Sequence, residues 1–182
     1  LLASDGNVCK NMIRFTGIAE NNIEMIQHWN NFLDNKLKIH QEVKKSTNVT
    51  YYSICFKNIE IVDLLSEYGI IPNKTFNLEL PYINWNVIRG YFDGDGSLTK
   101  DKRCNSYKFR LTSGSLTFLE QVKNFLEDQN IHPMIYKEKN WYTLVIQKKN
   151  YLRIIYKNMY ENCKYFLKRK YDKFLPIIQE IE

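Results

Sequence analysis

The sequence predicts an α+β fold built twice from one pattern, and three observations predict it. First, an apolar run with small residues ends in an acid and a glycine at residues 1–6 and again at 88–96, with Asp5-Gly6 and Asp95-Gly96 lying 90 positions apart in a chain of 182 residues. Second, a stretch of strand-like alternation follows each Asp-Gly pair. Third, a stretch of helical periodicity follows each of those. Each half therefore reads helix, two strands, helix, two strands, helix (αββαββα), with antiparallel hairpins on one side of the helices.

The elements follow in order. After Asp5 the chain reaches Ile13-Arg14-Phe15-Thr16, and after Asp95 it reaches Phe109-Arg110-Leu111-Thr112. Apolar residues alternate with Arg in both, which is the period of a half-buried strand. Ile23, Ile26, Trp29, Phe32 and Leu33 then recur at helical spacing, as do Leu119, Val122, Phe125 and Leu126. Ser115 with Thr117 offers an N-cap for the second of these helices. Returning strands at 52–57 and 142–147 keep the offset of 90, although the first hairpins differ in length. Helices over 59–68 and 151–160 come next, then basic segments at 72–75 and 167–171. A Pro-bounded linker runs from Thr75 to Pro81, and residues 171–181 read as a terminal helix. The expected organisation is a first repeat over 1–80 and a second over 81–182, together one compact domain.

Bulk properties narrow the function. Hydrophobic residues make up 44% of the chain, enough for a core. No apolar run approaches the roughly 18 residues of a membrane span, so no membrane partner is expected. No basic region precedes the apolar start as in a signal peptide, so a cytoplasmic (bacterial or phage-type) or organellar location is expected, not secretion. A net charge of +6 and a pI of about 9.0 suit a polyanion partner. The four cysteines, Cys9, Cys55, Cys104 and Cys163, form no C-x-x-C pair and read as reduced thiols. The isolated His28, His40 and His132 fit no histidine-based nuclease pattern. Asp34 with Glu42-Val43-Lys44 loosely mimics a D…E-x-K spacing, but nothing around it supports a central sheet.

Residues 88–96, Ile-Arg-Gly-Tyr-Phe-Asp-Gly-Asp-Gly, resemble the motif of the LAGLIDADG homing endonucleases, in their monomeric two-repeat form. Gly90, Asp93, Asp95 and Gly96 fall on the motif's small and acidic positions. Residues 1–6 resemble the tail of a first copy, with Asp5 matching Asp95 and Ala3 in the place of Asp93. The physical logic is legible. Gly90 lets two helices approach closely, and Gly6 and Gly96 permit the turn from helix into strand. An Asp at the negative end of a helix dipole is unfavourable by roughly 0.3–1 kcal/mol. Doing this twice in matching places invites a counter-ion. The first motif begins mid-helix, so the chain is expected to be trimmed at its start.

The resemblance implies two antiparallel sheets forming a DNA-binding saddle, and hydrolysis of both strands of a long asymmetric double-stranded target by a monomer. It implies that Asp5 and Asp95 hold Mg²⁺, with Mn²⁺ able to substitute, and that the carbonyls of Ser4 and Gly94 are secondary ligands. Such ions activate water and stabilise the leaving oxygen. Lys74 and Lys170 stand at the family's basic position after the helix and are candidates for offsetting transition-state charge; the alternative for residues 168–170 is a solvated basic turn. Strand alternation assigns the DNA face. With Ile13, Phe15, Phe109 and Leu111 inward, Arg14, Lys108 and Arg110 point outward, the two arginines suited to guanine. Thr99, Asp101 and Arg103 share that face on the preceding strand, and Tyr51, Ser53, Trp141 and Thr143 on the returning strands. Lys44, Lys45, Lys137 and Lys139 in the hairpins would meet phosphates. The competing reading is a binding-only relative: an RNA maturase acting on intron RNA, or a DNA-binding regulator.

Overall fold

The computed structural model describes residues 3, 6–9, 12–33, 36–71, 74–101 and 104–179. The chain divides into two units, Leu2–Pro72 and Asn73–Glu182. In the first, β1 (Gly6–Cys9) and β2 (Met12–Ile18) lead into α1 (Ala19–Phe32). Then come β3 (His40–Lys44), β4 (Val49–Lys57) and α2 (Ile59–Glu67). The second opens on the motif helix α3 (Trp85–Asp95), followed by β5 (Gly96–Asp101), β6 (Ser106–Ser113) and α4 (Leu116–Asp128). It closes with β7 (Met134–Lys137), β8 (Tyr142–Ile146), α5 (Lys149–Tyr160), α6 (Lys168–Tyr171) and α7 (Leu175–Gln179). The sheet orders are β1-β2-β4-β3 and β5-β6-β8-β7, and every pairing is antiparallel. No helix among the described residues is long and apolar enough to cross a membrane.

The duplication holds at the level of register. Gly6 pairs with Phe15 and Phe15 with Ile54; in the second unit Gly96 pairs with Leu111 and Leu111 with Leu144. The first and last members of the two triplets keep the offset of 90 read from the sequence. The middle strand is displaced by six further residues, and these lengthen the β5–β6 hairpin. Arg14 and Arg110 are thereby true counterparts, opposite Cys55 and Val145.

Each unit packs the inner face of its sheet against its helices. Ile13, Phe15 and Ile54 are buried in the first, where Phe15 lies on Trp29 of α1 at 4.6 Å between ring centroids. In the second, Phe92 of α3 stacks on Phe109 at 4.8 Å and 9°, and Phe174 meets both rings. All three rings are fully buried, and such aromatic pairs add about 0.5–1.5 kcal/mol beyond burial. Asn84 caps α3 by accepting from the Val87 N–H at 3.0 Å. Ser115 caps α4, accepting from the Phe118 N–H at 3.3 Å as the sequence predicts, while its hydroxyl donates to the Leu78 carbonyl at 2.6 Å.

That last bond changes the picture of the linker. Leu78 and Leu80 are buried, and the Gln121 side chain both donates to the Leu80 carbonyl and accepts from its N–H, at 2.7 and 3.1 Å. The segment joining the repeats is thus packed onto the second unit, and the units divide between 72 and 73, ahead of the expected 80/81. Of the terminal helix expected over 171–181, the described residues form only α7, after a turn that follows the short α6 ending at Tyr171. The start of the first motif lies outside the described residues.

Gly96 departs from expectation in its reason. Its φ of −81° and ψ of 161° are open to any residue, so the turn does not demand a glycine. What demands it is packing: a Cβ there would lie 2.5 Å from the Phe92 Cα and 2.6 Å from the Phe92 carbonyl oxygen. Backbone cannot yield as a flexible side chain can. Gly96→Ala is therefore expected to destabilise the second unit by about 1–3 kcal/mol in chemical denaturation. Phe109→Ala, which removes a ring from the stacked core, is expected to cost about 3–5 kcal/mol.

Candidate functional site

The motif helix places three polar groups at its end. Asp95 is the last helical residue and is exposed; Gly94 is half-buried, and Asp93 is only 3% exposed. No basic residue stands in the last turn of this helix. Its terminal carbonyls and its two carboxylates must therefore be balanced from elsewhere in the chain.

The balance comes from α6, more than 70 residues downstream. Asp93 Oδ2 accepts from the Leu167 N–H at 3.1 Å. Lys170, 4% exposed, directs its ammonium at the carbonyls of Phe92 (3.0 Å), Gly94 (3.4 Å) and Gly96, and lies 5.1 Å from the centre of the Phe92 ring. Arg89, on the same helix, donates to the Met159 carbonyl at 2.9 Å. Asp93 Oδ1 and the Tyr160 hydroxyl are buried with no hydrogen-bond partner among the described residues. Burial pushes the Asp93 carboxyl up to about 6, against the opposing pull of the Leu167 N–H and the Lys170 charge. Burial and the nearby Asp93 push the Tyr160 phenol up as well.

Asp95 and the Gly94 carbonyl are hard oxygen donors of the kind that Mg²⁺ or Mn²⁺ takes, so the donor chemistry of the second motif fits such an ion. Among the described residues no cluster of three or more Asp, Glu, His or Cys side chains could hold a metal. Asp5 and Ser4, the ligands expected from the first motif, lie outside the described residues, as does Arg103. Lys74 is nearly buried, at 9% exposure, within the segment packed on the second unit.

The outer face of the second sheet brings the expected reading residues together. Lys108 pairs with Asp101 at 3.3 Å, and Arg110 donates to the Thr99 hydroxyl at 3.3 Å. Lys108, Arg110 and Thr143 line a recess of about 230 Å³, joined by Tyr136, Glu138, Val145 and Gln147. Thr143 is its floor at 5% exposure, 3.5 Å from Glu138 Oε1. Trp141 and Lys139 are exposed in the β7–β8 hairpin. Lys137 sits elsewhere: with Ile135 it borders a second recess beside Leu116, Glu120 and Lys123, on the α4 side of the sheet. Tyr136 and Glu138 take the outer positions set by alternation from Ile135. In the first unit Arg14, Lys44 and Lys45 are exposed, while Tyr51 and Ser53 are half-buried.

Asp93 gives a test of the site's electrostatics. Its folded carboxyl titrates near 6 against an ordinary value of 3.8, so the folded chain holds this proton more tightly than the unfolded one. The associated stability is fully present below about pH 4 and lost as pH rises through about 6. Asp93→Asn keeps an oxygen for the Leu167 N–H and removes the buried charge. Denaturation midpoints should show it more stable than the unsubstituted chain above about pH 6.5, by up to about 2–3 kcal/mol, with the difference vanishing below about pH 4.

Comparison with known proteins agrees with this architecture. Residues 84–160 match the model of the LAGLIDADG-like domain. The chain is 32% identical over 105 residues to reverse gyrase of Methanocaldococcus jannaschii, a match covering 53% of this chain and 6% of that protein. Among solved structures it superposes on the meganuclease I-SmaMI bound to uncleaveable DNA with a TM-score of 0.64 at 10% identity, covering 98% of this chain and 86% of that one. It superposes on I-DmoI in complex with DNA and Mn with a TM-score of 0.52 at 16% identity, covering 84% and 82%. The N-terminal LAGLIDADG domain of DUF199/WhiA gives a TM-score of 0.58 at 16% identity, covering 90% and 78%. Residues 84–160 are thus similar to a LAGLIDADG-like domain, and the chain as a whole has the α+β fold of the solved LAGLIDADG homing endonucleases.

Proposed function

We propose that the chain is a site-specific, metal-dependent DNA endonuclease that hydrolyses both strands of a long asymmetric target. The observation that carries this reading is the end of the motif helix. Asp95 is exposed beside the Gly94 carbonyl, on a helix with no basic residue in its last turn, next to a sheet whose outer face gathers Lys108 and Arg110. In this reading Asp95 and Gly94 hold Mg²⁺ or Mn²⁺, with Asp5 and Ser4 as their counterparts in the first repeat. When bound, the ion supplies a lowered pKa for attacking water and charge stabilisation for the leaving oxygen. The protein's own part is to present the duplex. Arg14 and Arg110 address base edges, and Lys44, Lys45 and Lys139 neutralise phosphates. A chain acting on an asymmetric target needs unlike faces, and Met12 opposite Lys57 in one repeat stands where Lys108 stands in the other.

Incubation with a randomised duplex library in Mg²⁺ or Mn²⁺ tests this. The wild type is expected to cut a narrow set of sites. Asp95→Asn should lose cleavage by at least about 10²-fold, because the ion contributes several kcal/mol to the transition state, while binding to the same duplexes persists. Binding without cutting in either metal, or a preference for RNA, would replace this reading with the binding-only one. On selected sites, Arg110→Ala should relax preference at one base position by about 1–3 kcal/mol. Lys44→Ala should weaken all duplexes alike and lower the salt slope by about 1.

A further inference from the structure

Lys170 holds a position that a group reaching for phosphate would not be expected to take. The residue is 4% exposed and its ammonium points at the carbonyls of Phe92, Gly94 and Gly96, over the Phe92 ring. Those three carbonyls bracket Asp95. Gly94 is the residue before it, and Gly96 is the helix C-cap, whose N–H donates to the same Phe92 carbonyl. Three residues before Lys170, the Leu167 N–H donates to Asp93. The N-cap and the lysine of α6 thus grip the helix end on either side of the exposed carboxylate. A helix end with unmet carbonyls frays, and an end bearing two carboxylates has an added electrostatic reason to do so. A lysine that donates to the last carbonyls removes both causes.

We infer that Lys170 is a positioning residue: it pins the motif helix terminus so that the Asp95 carboxylate and the Gly94 carbonyl are held ready for a divalent cation, and it does not touch the scissile phosphate. The inference rests on the metal-dependent reading above and assigns the lysine a task within it. An outer partner that orients a metal ligand is worth 10–100-fold in metal affinity, whereas a lysine acting on the phosphate would leave metal affinity alone.

Two variants of the full chain, Lys170→Met and Lys170→Gln, separate these roles. The probes are Mn²⁺ alone, titrated by electron paramagnetic resonance, and amide hydrogen exchange over residues 94–97 in the metal-free protein. Lys170→Met should bind Mn²⁺ at least about tenfold more weakly and exchange faster over 94–97, while DNA affinity in EDTA stays within about twofold. Lys170→Gln keeps amide donors without the charge and should retain part of the exchange protection; it also serves if the Met variant fails to fold. Unchanged Mn²⁺ affinity and unchanged exchange, with only cleavage lost, would overturn the inference in favour of direct action on phosphate. If the wild type binds no Mn²⁺, the metal-dependent reading falls. The exchange data then decide alone: faster exchange keeps Lys170 as the clamp of the helix end, and unchanged exchange removes that role too.

Discussion

A helix that ends in two carboxylates within three residues, with no basic residue in its last turn, cannot finish unaided. Its carbonyls need donors and its negative charge needs a cation nearby. In the second unit both come from α6, through the Leu167 N–H on Asp93 and the Lys170 ammonium on the carbonyls of Phe92, Gly94 and Gly96. Much else in the unit follows from this closure. The chain after α5 must return to the helix end, which keeps α6 and α7 short. Phe174, just beyond α6, is drawn onto Phe92 and Phe109. Phe92 in turn packs so tightly against residue 96 that only glycine fits there.

The division of labour between the two acids also follows. Asp93 is buried and spends one oxygen on the backbone of α6; Asp95, two residues on, is exposed. Residues two apart on a helix face different sides, so one acid is turned into the structure while the other faces solvent.

The outer face of the second sheet obeys a different constraint. The strand period of two fixes which side chains share a surface, and the cross-strand contacts Lys108–Asp101 and Arg110–Thr99 hold the two cations in place on it. An acid among them, Glu138, gives the recess donors and acceptors together. The same period puts Lys137 on the helix side, where its charge faces α4 residues.

The sequence by itself determined the architecture. The period-2 and period-3.6 runs, the Ser115 cap and the offset of 90 specify the elements and their antiparallel register, because those signals are local and a slip of one residue would turn each buried face outward. It also determined Asp95 and the outward Arg14, Lys108 and Arg110, whose places follow from an Asp-Gly signature and from alternation. Tertiary structure alone decided the rest. That Gly96 is needed for packing and not for its turn depends on the approach of Phe92. The pinned linker depends on Ser115 and Gln121 meeting Leu78 and Leu80, partners about 40 residues away. Most of all, the sequence offers Lys168, Arg169 and Lys170 as three equal charges in one basic turn. Only the fold distinguishes them, burying Lys170 against the motif helix and leaving Lys168 in an exposed pair with Asp172, because burial is set by what the chain packs against and not by the residues beside it.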